Sequence, residues 1–403
     1  MRLKNLSRKQ REIFDFCKTD ETTLICDGSV RSGKTTAMTL AFLTWAMQNY
    51  DRTNFAICGK TVQSAERNIL HPLMEIEGLG VALALSYKVS TRVLTVRCGE
   101  RVNWFYLFGG KDESSYMLIQ GITLAGVLFD EVALMPQSFV EQATARAISF
   151  ENPKYFLNCN PESPANWVYK KYIEQPPAST RHIHFLLEDN PILTPQMIER
   201  TKAMYSGVFY DRYIRGLWKI AEGLVYQMFD RERNVTSERG GPGRYWISSD
   251  YGTQNPTVFA LWREYGGKAV MEKEYYHSGR ESGRQKTDEE YYQDLEAFAD
   301  GYRIERVVLD PSAASFAECI RRHGKFSVWK ANNAVLDGIR FTGACIKSGI
   351  IKFHESCKNA FREFGLYSWD KDAGEDRVIK ENDHVCDSIR YFCMTVLRRE
   401  IKK

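Results

Sequence analysis

Gly28, Gly33, Lys34 and Thr35 stand at the spacing G-x-x-x-x-G-K-[ST], within Gly28-Ser29-Val30-Arg31-Ser32-Gly33-Lys34-Thr35. A loop of this kind wraps the phosphates of a nucleoside triphosphate with its backbone N–H groups. The two glycines permit the tight turn and the close approach of backbone to ligand. Lys34 is spaced to reach the outer phosphates and the Thr35 hydroxyl to bind Mg²⁺. ATP with Mg²⁺ is therefore the expected occupant. The loop hydrolyses nothing without acids. Leu128-Phe129-Asp130-Glu131 supplies a pair: Asp130 to hold the metal, directly or through water, and Glu131 to orient and activate the attacking water. Arg31, inside the loop, is placed to reach the γ-phosphate. Arg146, in Ala143-Thr144-Ala145-Arg146-Ala147, is a candidate arginine finger acting on a neighbouring subunit. Gln10, ahead of the first strand, is a candidate reader of the adenine edge.

A second set of acids occupies the C-terminal half. Asp250 ends the strand-like run Trp246-Ile247-Ser248-Ser249, and Asp310 ends Val307-Val308-Leu309. Asp383 and Asp387 open a final helical stretch that runs to about Arg399, and their spacing puts them on one helix face. Carboxylates gathered at one point repel unless metal neutralises them. All-oxygen ligands favour Mg²⁺ or Mn²⁺. Two such ions would suit in-line attack on a phosphodiester. Asp383 and Asp387 are both candidate ligands from this helix.

The elements that must position these residues are legible. Thr22-Thr23-Leu24-Ile25-Cys26-Asp27 reads as a strand, and Thr36 to Met47 as helix, which aims a helix N-terminus at an anion. Residues 54–58, 125–129 and 155–159 read as buried strands, 62–70 as a helix, and 92–96 with 102–108 as a hairpin. Strands alternating with helices predict an α/β fold whose sheet is mostly parallel. Residues 231–244 are polar and end in Gly240-Gly241-Pro242-Gly243, which is linker chemistry. An antiparallel meander then opens a second α/β unit. The expected division is 1–230, a linker at 231–244, and 245–403.

Composition narrows the class. The chain has 403 residues, 43% hydrophobic and 26% charged, with a net charge of only +4, so any basic surface is local. No apolar run approaches a membrane span, and the basic start Met1 to Gln10 lacks a signal peptide's apolar stretch. The ten cysteines show no Cys-x-x-Cys pair, which fits buried free thiols of a reducing cytosol.

The order glycine loop, Asp-Glu, Asn158-Cys159-Asn160-Pro161, linker, Asp250, Asp310 and Asp387 resembles the large subunit of a tailed-phage terminase, along nearly the whole chain. The resemblance implies a P-loop (RecA/ASCE-like) packaging ATPase followed by an RNase H-like nuclease that cuts concatemeric DNA. It makes Asn158, Cys159 and Asn160 a motif coupling hydrolysis to movement, and Leu6 to Gln10 the adenine-reading segment. Residues 387–391 look like the C-terminal nuclease motif, with Ser388 where the family usually has Ala, which favours Asp387 over Asp383 as the main helix ligand. The implied partners are double-stranded DNA, a small terminase subunit and a portal protein. The implied state is a monomer when free and a homo-oligomeric ring on the procapsid. The implied location is the host cytoplasm, transiently at the portal, without secretion. DNA contact is expected mainly through phosphates, and the loop from Gly279 to Lys286 is a candidate clamp. Two rivals fit fewer residues: a helicase or repair ATPase fused to a nuclease, and a non-catalytic DNA-binding assembly protein. The second half does not look like a second motor lobe, and an intact Lys34, Glu131 and three aspartates argue against decay.

Overall fold

Strand β1 (Thr23–Gly28) is buried along its whole length, as a central strand covered on both faces must be. It belongs to an eight-stranded sheet in a computed structural model that describes residues 6–252, 255–373 and 375–401. The other strands are β2 (Asn54–Gly59), β3 (Ala84–Lys88), β4 (Val93–Cys98), β5 (Arg101–Gly109), β6 (Gly126–Asp130), β7 (Lys154–Asn158) and β8 (Thr180–Phe185). Their order is β3-β4-β5-β2-β6-β7-β1-β8. From β5 to β8 neighbouring strands run parallel, whereas β3, β4 and β5 form the expected antiparallel ribbon. The helix Lys34–Asn49 is buried almost all round. Its Phe42 packs edge-on against Phe55, Phe105 and Phe156 beneath the sheet. The other face is filled by Ile25, Phe129, Phe139 and Leu157.

The topology has one decisive consequence for chemistry. Strand β7 lies between β1, which leads into the glycine loop, and β6, which ends at Asp130. Register pairs Asn158 with Cys26 on one side and with Asp130 on the other. Asn158 is thus delivered to the point where loop and acid meet.

The second sheet has seven strands: β9 (Val235–Thr236), β10 (Arg244–Asp250), β11 (Thr257–Tyr265), β12 (Lys268–His277), β13 (Ile304–Leu309), β14 (Val328–Lys330) and β15 (Ile351–His354). The order is β14-β13-β10-β11-β12-β15-β9, with β10, β11 and β12 as the predicted antiparallel meander. Strands β13 and β10 run parallel, so Asp250 and Asp310 leave neighbouring strands at the same edge. The helix His384–Phe392 lies over this sheet, with Phe392 stacked on Trp262 at 4.3 Å between ring centroids. Ser388 donates to the Ser248 carbonyl at 3.0 Å and sits 3.0 Å from its hydroxyl. The Ser388 hydroxyl is thus buried and satisfied in this close seat.

The chain separates into one compact unit up to Lys202 together with Tyr210–Ile220, and another formed by Ala203–Phe209 and Ala221–Lys403. Residues 231–244, linker-like in composition, carry a short helix at Arg231–Asn234 and strand β9, which pairs with β15. Two residues of the segment thus join the second sheet, and the whole of it falls in the second unit. Its pairing partner lies more than a hundred residues downstream, beyond the reach of composition. The ten cysteines are all free, eight of them buried, and no described helix is long and apolar enough to cross a membrane. Met1–Asn5 of the basic N-terminal stretch lie outside the described residues.

Candidate active sites

The first site is a cavity of about 510 Å³ lined by every residue from Val30 to Ala37, with Gln10, Asn68, Asp130, Glu131, Asn158, Cys159, Asn160 and Asn190–Leu193. Gly28 holds φ +119°, and a Cβ there would lie 1.9 Å from the Phe185 carbonyl oxygen, so no side chain fits. Gly33 caps the helix Lys34–Asn49 in the left-handed region at φ 86°. Buried Lys34 points Nζ at the carbonyls of Gly28 (3.2 Å) and Ser29 (2.7 Å) and at Asn160 Oδ1 (3.3 Å). Burial pushes its pKa down, with nearby anionic groups, Asp27 and Asp130 among them, working the other way. Gln10 lies against the loop, its Nε2 3.5 Å from the Gly33 carbonyl, held there by the Ser7 capping box.

The two acids of the pair have different surroundings. Asp130 is buried and accepts from Asn158 Nδ2 at 2.5 Å, Thr35 Oγ1 at 3.2 Å and Asn68 Nδ2 at 3.2 Å. Burial raises its pKa against these hydrogen bonds. Asn158 Nδ2 also lies 2.8 Å from Thr35 Oγ1. Glu131 is partly exposed, lines the cavity and takes a left-handed backbone, φ 60°. Such strain in a non-glycine residue is concentrated at functional positions. Arg31 shares it, at φ 56°, and also lines the cavity. Arg146 ends the helix Gln137–Ala145 and is not among the cavity-lining residues.

The oxygen set at this cavity fits Mg²⁺. Thr35 Oγ1 and the Asp130 carboxylate already face each other, and Asn158 Oδ1 is buried with no partner among the described residues. Sequence reasoning missed Asn68 and Asn190. Asn68 reaches Asp130, and Asn190 donates to the Arg31 carbonyl at 2.7 Å, which braces the strained residue. Both arrive through tertiary contacts that carry no local signal.

The second site gathers acids at the end of β10. His384 Nδ1 lies 2.8 Å from Asp250 Oδ2, and its Nε2 lies 3.9 Å from Asp383. Lys380 Nζ stands 3.6 Å from Asp383 and 3.8 Å from Asp387. Arg390, almost fully buried, donates to Asp387 Oδ1 from Nε at 3.2 Å and from Nη2 at 2.9 Å. Asp310 accepts from the Tyr391 hydroxyl at 2.5 Å and from the Ser312 backbone at 2.6 Å. Burial opposes its charge, but these hydrogen bonds hold its pKa below the usual value. The cluster is not a closed three-ligand cage. Among the described residues, the His, Cys, Asp and Glu trios within 4.8 Å are Asp27–His182–His184 and Glu289–Cys319–His323. The fit to a hard cation rests instead on chemistry: all-carboxylate donors, Asp383 and Asp387 buried and Asp250 and Asp310 partly so, with His384, Lys380 and Arg390 beside them. Of the helix acids, Asp387 commits one oxygen to Arg390, while the ion-pair partners of Asp383 among the described residues are Lys380 and His384.

The candidate clamp loop from Gly279 to Lys286 is partly neutralised. Lys286 pairs with Asp294 at 2.5 Å and Arg284 pairs with Glu290, both acids on the following helix. Sequence reasoning also missed Glu363, a buried acid whose Oε2 accepts from the Val385 and Cys386 N–H groups at 2.7 and 3.1 Å, capping the helix that carries Asp387.

These environments predict a pH dependence. Burial pushes Asp250 up to about 6 and Glu363 up to about 7. Burial opposes charge on His384, but Asp250 beside it raises its pKa overall. All three are raised above their unfolded values, so each contributes stability at low pH that is lost as pH climbs through the folded value. In chelator, the second unit should therefore melt at a lower temperature at pH 8 than at pH 5.5. Asp250 alone accounts for about 1 kcal/mol of that difference, because with a folded value of about 6 it is already partly ionised at pH 5.5. Asp250→Asn should flatten the profile, and Mg²⁺ or Mn²⁺ should restore stability at pH 8. An unchanged profile in Asp250→Asn would contradict this assignment.

Comparison with known proteins follows the same two-part layout. The family described as "Terminase large subunit, T4likevirus-type, N-terminal" matches residues 25–233, just over half of the chain. The large terminase subunit of Escherichia phage T5 is 23% identical over 231 residues, covering 54% of this chain and 52% of that protein. The chain thus aligns with about half the length of this curated relative. The large terminase of a thermophilic bacteriophage is 43% identical, with a TM-score of 0.92, covering 98% of this chain and 100% of that one. The same thermophilic phage protein solved in complex with ADP superimposes with a TM-score of 0.89 at 42% identity, covering 97% and 100%. A family match over half the chain and a 43% identical relative aligned over 98% of it leave one conclusion: this chain belongs to the phage terminase large-subunit family.

Proposed function

We propose that the chain is a DNA-packaging motor: ATP hydrolysis in the first unit drives double-stranded DNA into a procapsid, and a metal-dependent, RNase H-like nuclease in the second cuts concatemeric DNA. One observation carries the reading. The glycine loop, the Asp130–Glu131 pair and Asn158 line a single cavity, in a chain 42% identical to a terminase solved with ADP. In this reading Lys34 and the N–H groups of Arg31–Thr35 bind phosphate. Thr35 and Asp130 hold Mg²⁺, which when bound offsets charge on the β- and γ-phosphates. Glu131 orients the attacking water. Asn158, touching both Thr35 and Asp130, is placed to sense the phosphate end of the nucleotide, as a coupling residue must. Asn160, on Lys34, extends that contact, and Cys159 packs behind it.

In the second unit Asp250, Asp310, Asp383 and Asp387 hold one or two Mg²⁺ or Mn²⁺ ions, which would polarise the phosphodiester and activate water. His384 holds Asp250 in place, and the protein's basic groups give way to metal and DNA. A small terminase subunit, a portal and a ring of copies complete the assembly, in which Arg146, off its own cavity, serves a neighbour. The test pairs two assays on one preparation: ATPase with and without DNA, and plasmid cleavage in Mn²⁺. DNA-stimulated hydrolysis with sequence-blind cleavage is expected. Strand separation without cleavage would turn the assignment to a helicase, and the absence of both activities to a scaffold.

A further inference from the structure

Directly before the glycine loop, Asp27 is buried with its side chain 1% exposed, and it is not among the residues that line the nucleotide cavity. Its Oδ1 lies 2.7 Å from His182 Nε2 and 2.9 Å from His184 Nδ1, and its Oδ2 accepts from Trp218 Nε1 at 2.7 Å. The two histidines alternate along β8 and so share one face, and Asp27 and His184 are register partners. The same stretch is pinned by backbone. Ser29 N–H donates to the Phe185 carbonyl at 2.8 Å and Val30 N–H to the Tyr213 carbonyl at 2.9 Å. The Ser29 hydroxyl donates to the Ile214 carbonyl at 2.5 Å. Gly216 closes against His184 and Gly28 so tightly that a Cβ would lie 2.7 Å from the imidazole.

We propose that Asp27 is a positioning residue for nucleotide binding, a hydrogen-bond hub that clamps the start of the glycine loop between β8 and the segment from Tyr213 to Trp218. The proposal rests on the ATP reading of the cavity. Its physical basis is preorganisation. A phosphate loop binds well when its N–H groups already converge, because ordering it afterwards costs affinity. Ser29 and Val30 spend their N–H groups on the clamp, which fixes the direction of the loop residues that follow. The ionised carboxylate is what holds three donors at once. Burial opposes its charge, yet hydrogen bonds from both imidazoles keep its pKa well below the usual carboxylate range. The contacts are hydrogen-bond lengths, shorter than the ligand separations around a metal ion, which favours a hub over a cation cage.

Loop contacts to phosphate exist in the bound state and in the transition state alike, so loosening the clamp removes uniform binding. Trp218→Phe keeps the ring and deletes one donor. It should raise the Kd for ADP and the KM for ATP about five- to tenfold, less than the full cost of a hydrogen bond to a charged group because the lost contact acts on the loop and not on the nucleotide, with kcat at saturating ATP within about twofold of the parent. His184→Gln should act in the same direction, and Asp27→Asn more strongly, since it offers a donor to donors. ADP titration by calorimetry, steady-state ATPase kinetics and a melting curve on each variant make the test. Parent-like ADP affinity in both Trp218→Phe and His184→Gln overturns the proposal, as does a fall in kcat with KM unmoved. Stoichiometric Zn²⁺ uptake by the parent that His182→Gln abolishes also overturns it, in favour of a metal site. A parent that binds no ADP refutes the ATP reading instead.

Discussion

Glu131→Ala should lower ATP hydrolysis by about 10²- to 10⁴-fold, the usual contribution of a positioned base, while ADP and ATPγS still bind. The adjacent acids divide the labour by environment. Asp130 is buried and held by Asn158, Thr35 and Asn68, which suits the fixed metal ligand of the proposed reading. Glu131 lines the cavity from a left-handed backbone, the kind of strain that gathers at functional positions. Lys34→Ala should behave differently and weaken binding itself, by about 10- to 150-fold, because one charged donor to phosphate is lost. Equilibrium nucleotide binding beside phosphate release separates the two. Parent-like turnover in Glu131→Ala would remove it from the base position. The arginines divide in the same experiment. Arg31 lines the cavity, so Arg31→Ala should impair a monomer. Arg146 does not, so Arg146→Ala should matter only once copies assemble, and mixing with Glu131→Ala should restore some activity.

The parts of the molecule that sequence made legible are those written in consecutive residues. The glycine loop, the strand-end acids and the hairpin at β4 and β5 all have local signatures, and each sits where its spacing implies. What stayed hidden depends on pairing between distant segments. Asn68 read only as part of a helix, yet it reaches Asp130. The glycine-rich composition of 231–244 concealed β9, whose strand character comes from β15. The hub around Asp27 draws on β8 and Trp218, neither near it in sequence. Two residues did carry a signal. His384 follows Asp383 directly, and an imidazole between acids at a helix start is a natural partner for either. Arg390 stands three positions after Asp387, the spacing of a helical ion pair.

The acids of the second unit should separate by experiment. Asp250→Ala and Asp310→Ala should each cut plasmid cleavage in Mn²⁺ by about a thousandfold or more, as expected when several kcal/mol of metal-borne charge stabilisation is lost. ATPase activity should survive, because the nucleotide cavity belongs to the other unit. The helix acids need more care. Asp387→Ala would strand the buried Arg390 without its counter-charge, a loss of roughly 3–5 kcal/mol of stability on top of any catalytic effect. Its inactivity alone would therefore prove little. Asp387→Asn, which keeps an oxygen facing Arg390, is the better probe when read beside a melting curve. Asp383 shares Lys380 with Asp387 but has no buried arginine, and burial raises its pKa in the absence of metal. Asp383→Asn should thus keep the fold, and its cleavage rate reports directly on metal binding. Cleavage lost in Asp387→Asn at an unchanged melting temperature, and largely kept in Asp383→Asn, would make Asp387 the helix ligand. The reverse pattern would give that place to Asp383 and leave Asp387 to anchor Arg390. Parent-rate cleavage by Asp310→Ala would remove the strand-end acids from the reaction altogether, because Asp250 and Asp310 leave paired parallel strands and should serve together.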